Sequence, residues 1–176
     1  MRYGLALLIG LTWALWFGGL MALFLLVSHL FASDRPTAVL AAPRMFVAFA
    51  RYQILLAAVA LVATVAWRLT TPRALLTALF SLFAVAAVAT VLIASVITPK
   101  MERLRLAGES ATPEFRRLHG QSMIAYVAEA AALLVAGFLV GIGIRSATAL
   151  PDAANANPPA PTPPTDPAWA PGETSR

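Results

Sequence analysis

Residues Arg116–Gly143, RRLHGQSMIAYVAEAAALLVAGFLVGIG, decide the fold. From Met123 to Ile144 the chain is apolar apart from a single formal charge, Glu129. About 20 apolar residues in a helix cross the ~30 Å hydrocarbon layer of a bilayer, and this run is long enough. Three further runs pass the same test: Tyr3–Phe31 and Ala74–Ile97, both without formal charge, and Met45–Trp67, which contains Arg51 and Gln53. Each is too long and continuous for a barrel strand, and a helix satisfies all its own backbone hydrogen bonds in lipid. The expected fold is therefore all-α: a polytopic membrane protein built as a four transmembrane helix bundle, with helices at about 3–31, 44–68, 73–98 and 113–145.

Composition agrees. Charged residues make up 12% of the 176 residues and hydrophobic ones 60%, against about 25% charged in soluble domains. Mean hydropathy is +0.77. The absence of cysteine excludes disulfides, thiolate metal sites and cysteine nucleophiles. The net charge of +5 comes almost wholly from arginines at the ends of apolar runs. The expected partners are the lipid bilayer and its anionic head groups, above all at the Arg-rich third loop, and not nucleic acid. The first run follows Arg2 but far exceeds the ~7–15 residues of a signal core and precedes no clear A-x-A site; it is expected to stay as a helix.

Boundary residues supply ordinary start and stop chemistry. Pro43 and Pro72 suit first helical turns, Thr71 an N-cap, and Trp67-Arg68 an interfacial end. Thr98-Pro99 is expected to end or kink the third helix. KMERLRL follows as a short surface helix stopped by Gly108, and Thr112-Pro113-Glu114 opens the fourth helix. Residues 1–146 form one transmembrane domain on this reading. Residues 147–176, Pro- and Ala-rich around PPAPTPP, are expected to be a disordered tail.

Basic residues near helix ends set orientation. Arg35, Arg44, Lys100, Arg103, Arg105, Arg116 and Arg117 flank loops one and three; Arg2, Arg68, Arg73 and Arg145 lie on the other side. The bias places loops one and three in the cytoplasm and both termini outside.

The polar residues within the spans carry what chemistry there is. His119, Ser122, Tyr126 and Glu129 follow helical spacing and share a face, which continues through Leu133, Ala136, Gly137, Val140 and Gly141. A Gly-xxx-Gly pair admits a close helix neighbour, so this face points into the bundle or a dimer contact. Glu129 enters lipid from the same side as Arg51, at similar depth. The two are expected to pair, directly or through Gln53, Tyr126 or water, since an isolated charge near the bilayer centre costs at least ~2.5–3.5 kcal/mol; the alternatives are a protonated Glu129 that hydrogen-bonds alone, and a role in moving protons or cations. Arg51, Gln53, His119, Ser122, Tyr126 and Glu129 are thus the candidate polar cluster. His29 and His119 lie near one membrane surface and are candidate haem or metal ligands, although no recognised ligand spacing joins them and no cofactor is otherwise expected. Thr77, Ser81, Ala84, Val88, Val91, Ser95 and Thr98 trace a small-residue stripe expected to form a helix interface. Trp13, Trp16 and Gly18-Gly19 read as packing residues. No phosphate-binding loop, nucleophile elbow or metalloprotease motif is present.

LWFGGLMALFLLVSHLF, APRMF, ITPKMERLR and EFRRLHGQS together resemble a bacterial membrane family, the domain of unknown function 4149, related to the eukaryotic transmembrane protein 205. The likeness covers about residues 5–145. Its most specific part is the third loop and the mouth of the fourth helix, here Pro99, Arg103, Arg105, Phe115, Leu118, His119 and Ser122. It implies a four-helix integral membrane protein of the bacterial inner membrane and no established reaction. A neutral polar residue is more usual in the family where Glu129 stands. Three readings follow: a non-enzymatic protein acting through membrane-embedded contacts, as a homodimer or with a membrane partner; a transporter of a small solute, cation or proton through a polar end pocket holding His29, Arg51, His119 and Glu129; or a haem- or quinone-linked redox protein.

Overall fold

The computed structural model describes residues 2–70 and 74–148. Its elements are α1 (Arg2–Ser33), α2 (Arg35–Thr70), α3 (Ala74–Leu92), a π-helical turn (Ile93–Ile97), α4 (Thr98–Leu106) and α5 (Pro113–Thr148). Four segments are long and apolar enough to cross a membrane: α1, α2, α3 continued into α4, and α5. The fold is an all-α four-helix membrane bundle, as the apolar runs require.

The helices form a ring. α1 packs on α2 and α5, and α3 packs on the same two. Buried residues recur at helical spacing on each inner face: Ile9, Trp16 and Leu20 on α1; Leu56, Ala60 and Ala63 on α2; Leu76, Leu79, Phe83 and Ala86 on α3; Leu133, Ala136 and Val140 on α5. The outer faces carry Leu11, Leu25, Leu55, Val62, Val88 and Phe138, all exposed. In water that surface would be unsustainable; against lipid it costs nothing, which is why all four helices are greasy all round.

The short connections differ from expectation in an informative way. Loop one is a single residue, Asp34, and α2 begins at Arg35, so Pro43 lies inside a helix instead of opening one. Asp34 makes this possible. Its carboxylate accepts from the Thr37 amide (3.2 Å) and the Thr37 hydroxyl (2.6 Å), capping the donors that a helix start leaves free. These two bonds hold the Asp34 carboxyl below its ordinary value. A lowered folded pKa contributes stability above the unfolded value near ~3.9 and loses it as pH falls through the folded one. The protection of the Thr37 amide against exchange, relative to an unstructured peptide at the same pH, is therefore expected to fall below about pH 4. Asp34→Ala should show that loss of protection already at neutral pH, and Asp34→Asn should not.

Thr98-Pro99 does not end the third span. A π turn absorbs it, with the Thr98 N–H bonded to the Ile93 carbonyl, and α4 continues with Pro99 in its first turn. Widening the helix by one residue is a recognised way to carry a proline's missing donor. Gly108, at φ +76°, stops α4; left-handed backbone is cheap only for glycine. Thr112 then caps α5, its hydroxyl accepting from the Phe115 amide (3.3 Å). Thr71-Pro72, expected to start α3, and the Pro/Ala-rich segment after Thr148 lie outside the described residues.

The small-residue stripe on the third span is also placed differently. Thr77, Ser81, Val88, Val91 and Ser95 are exposed, and Ala84 and Thr98 only half-buried. The helix buries Leu76, Leu79, Phe83, Ala86 and Thr90 instead. Serine tolerates the outer face because its hydroxyl returns to its own backbone: Ser81 donates to the Thr77 carbonyl at 3.0 Å, and Ser95 to that of Val91.

Candidate functional site

Glu129 is wholly buried near the middle of α5. Its Oε1 accepts from Trp16 Nε1 (2.8 Å), from Gln53 Nε2, and lies 3.1 Å from Thr90 Oγ1. The partners come from α1, α2 and α3, and each lies near the middle of its membrane span, Thr90 being central in Ala74–Leu106. One carboxyl oxygen thus ties all four spans together at one level. Trp16, Gln53 and Thr90 are at most 1% exposed, so these donors have no water to fall back on, and a buried donor left unmade is expensive. The Thr90 hydroxyl has one proton and also sits 3.1 Å from the Ala86 carbonyl, so it shares or alternates between two acceptors. Glu129 Oε2 is buried without a partner among the described residues.

Two side-chain contacts close the diagonals of the ring. Gln53 crosses from α2 to Glu129 on α5, and the Trp16 indole stacks on Phe83 of α3 at 6.3 Å. A second tie lies one turn deeper on α5. Trp13 donates to the Leu133 carbonyl (2.7 Å), and its ring rests on Gly137, where a Cβ would come within 2.3 Å of it.

Arg51 is not part of this node. It is exposed and forms neither hydrogen bond nor ion pair with Glu129 among the described residues. Gln53 takes the inward position. Residues two apart on a helix point to nearly opposite sides, so depth alone could not pair both with one acid. Arg51→Ala is therefore expected to leave thermal stability within about 0.5 kcal/mol of the parent, measured by unfolding in detergent, whereas loss of a paired arginine would cost several times more.

The second feature is a cleft of about 520 Å³ at the end of the bundle where loops one and three lie. Its walls are Phe31 of α1; Arg35, Val39, Ala42, Pro43 and Phe46 of α2; Ile93, Thr98, Met101, Glu102 and Arg105 around the π turn and α4; Ser110; and Phe115, His119, Ser122, Met123 and Tyr126 of α5. Apolar side chains line the deep part. At the mouth, Arg105 grips Glu102 through Nε (2.7 Å) and Nη2 (2.6 Å). Tyr126 closes the inner end with Phe24 (5.3 Å, edge-on) and Phe46 (5.5 Å). This aromatic cluster lies one helical turn from Glu129, between the cleft and the node.

The expected polar cluster is therefore two sites. Gln53 and Glu129 belong to the node, with Tyr126 between; His119 and Ser122 belong to the cleft, where the Ser122 hydroxyl donates to the His119 carbonyl (2.7 Å). His29 is exposed and does not line the cleft, so the structure does not gather the two histidines around a common space. Of the loop residues, Arg103 is exposed, Leu118 is buried in the core, and Pro99, Arg105 and Phe115 are half-buried. Sequence reasoning missed Trp16 and Thr90. A signal existed for the first: a tryptophan buried mid-membrane needs an acceptor, and Glu129 is the one deep carboxyl in the spans.

Fold and site together define a small multi-pass membrane protein with a carboxyl-centred core and an open cleft at one end. Residues 11–110 match the family described as a domain of unknown function (DUF4149), and the chain belongs to that family. The match takes in Trp16, Gln53, Thr90 and the α4 segment, and stops before α5. No curated protein and no solved structure matches the chain.

Proposed function

We propose that the protein is a non-enzymatic component of the bacterial inner membrane that works by holding a membrane-resident guest in the end cleft. The observation that carries this is the cleft itself. All four spans contribute to it, its volume falls in the ~300–1,000 Å³ range of ligand pockets, and it is apolar within and polar at the mouth. Among the described residues its polar groups form no catalytic constellation: His119 has no carboxylate partner there, and the Glu102 carboxylate is engaged by Arg105. On the charge bias of the helix ends, the cleft faces the cytoplasmic leaflet.

Native mass spectrometry of protein extracted in mild detergent tests this. A bound adduct is expected in the parent and lost in Val39→Trp, which fills the mouth from an exposed position. A parent free of any adduct overturns the reading.

A second reading has one observation in its favour. Glu129 Oε2 is buried without a partner among the described residues, a turn from Tyr126 on the cleft wall. A carboxyl so placed could carry a proton for coupled transport through the same cleft. Proteoliposomes with a trapped pH dye would then acidify in a manner abolished by Glu129→Gln; equal traces for parent and variant dispose of it.

A further inference from the structure

We propose that the guest of the cleft is an anionic phospholipid, seated with one acyl chain between α2 and α5 and its phosphate at Arg35 and Arg105; this rests on the cleft being a binding site. The length of the cleft is the first support. On α2 it runs from Arg35 to Phe46, and on α5 from Phe115 to Tyr126. At ~1.5 Å per residue either wall is roughly 16 Å long, close to one leaflet's share of a ~30 Å hydrocarbon core. An acyl chain of a lipid in that leaflet has the same reach, so it can leave the bilayer for the cleft without moving its head group.

The distribution of polar groups is the second support. The deep wall offers Phe46, Ile93 and Tyr126, and polar side chains gather toward the mouth. There Arg35 is exposed and has no partner among the described residues. Arg105 spends two of its five donors on Glu102 and keeps the others. Two guanidinium groups against one carboxylate leave the mouth positive. Guanidinium forks match phosphate oxygens in geometry as well as charge. A zwitterionic head group brings its own cation and gains less. A soluble anion has no chain with which to occupy the apolar depth.

The test uses the full chain in detergent, with thermal unfolding followed as dioleoylphosphatidylglycerol, dioleoylphosphatidylcholine or palmitate is added at equal mole fraction. Phosphatidylglycerol is expected to raise the midpoint by several degrees more than phosphatidylcholine. Arg35→Ala and Val39→Trp, both at exposed cleft positions, should each weaken the apparent affinity for phosphatidylglycerol at least tenfold. Arg68→Ala, an exposed arginine that does not line the cleft, should leave it unchanged. Equal stabilisation by the two phospholipids overturns the proposal. So does a preference for phosphatidylglycerol that survives both cleft variants, which would be surface attraction alone. Stabilisation by palmitate without phosphatidylglycerol also overturns it, by moving the guest from lipid to free fatty acid. An adduct of another kind, lost in Val39→Trp, sinks the lipid assignment and leaves the binding role standing.

Discussion

Glu129→Ala is expected to lower the stability of the bundle by about 3 kcal/mol. Truncating a buried side chain of this size costs ~2–5 kcal/mol through lost contacts and the cavity left behind. Three donors on three helices lose their acceptor, and hydrogen bonds between membrane helices average ~0.6 kcal/mol each. For a chain of this length ~1 kcal/mol moves an unfolding midpoint by ~2–4 °C, so the shift should be near 10 °C. Glu129→Gln separates the causes. Its amide oxygen can still accept from Trp16, Gln53 and Thr90, and its new N–H₂ falls where Oε2 has no hydrogen-bond partner. The unpaired N–H₂ should cost about 1–2 kcal/mol, less than the alanine change because the bonds to the three other helices are kept. If glutamine were as damaging as alanine, the carboxyl would be needed for its ionisable chemistry and not for holding the helices. Trp16→Phe should reproduce part of the alanine effect, because it keeps the ring on Phe83 and removes the N–H.

This node also shows where the sequence stopped being readable. Four spans were legible because lipid imposes a length requirement on apolar runs, and no tertiary knowledge is needed to apply it. The inward face of α5 was legible for a similar reason: Ser122, Tyr126 and Glu129 stand out against an apolar background, and their spacing fixes a direction. Partners for that face were not. Arg51 matched Glu129 in charge and depth, yet helical phase turned it outward and Gln53 inward. Phase cannot be read on a helix that is apolar all round, because lipid and core accept the same side chains. The same ambiguity misplaced the stripe from Thr77 to Thr98, whose hydroxyls are satisfied by their own helix and so report nothing about neighbours. Thr90 bonds its own helix too, through Ala86, and lies against Glu129 only because α3 packs on α5.

Helix ends were misread for a different reason. Pro43 and Thr98-Pro99 carry stop signals that hold for isolated helices. Here Asp34 caps α2 so far upstream that Pro43 falls inside the helix, and a π turn carries the third span through Pro99. In both places the surrounding bundle overrides the local preference. Both prolines belong to the end of the molecule that carries the cleft, and Pro43 lines it.

The pair Gly137 and Gly141 gives the sharpest contrast available in the molecule. Spacing alone treats them as equals. In the structure a Cβ on Gly137 would meet ring atoms of Trp13 at 2.3, 2.6 and 3.1 Å, while one on Gly141 meets nothing within 4 Å. Trp13 cannot easily yield. Its ring stacks on Phe17 at 5.9 Å, and its N–H holds the Leu133 carbonyl, one turn before Gly137. Gly137→Ala is therefore expected to cost about 1–3 kcal/mol by overpacking, and Gly137→Leu to separate α1 from α5 and abolish accumulation of folded protein. Gly141→Ala and Gly141→Leu should leave the unfolding midpoint unchanged or slightly raised, since alanine favours helix over glycine by ~1 kcal/mol. The double variant Gly137→Ala with Trp13→Phe supplies the internal check. A smaller ring vacates the space the new methyl needs, so the two changes together should cost less than the sum of each alone, with a coupling of about 1 kcal/mol or more. Strict additivity would mean that the ring does not rest on Gly137, and that the α1–α5 contact is held elsewhere.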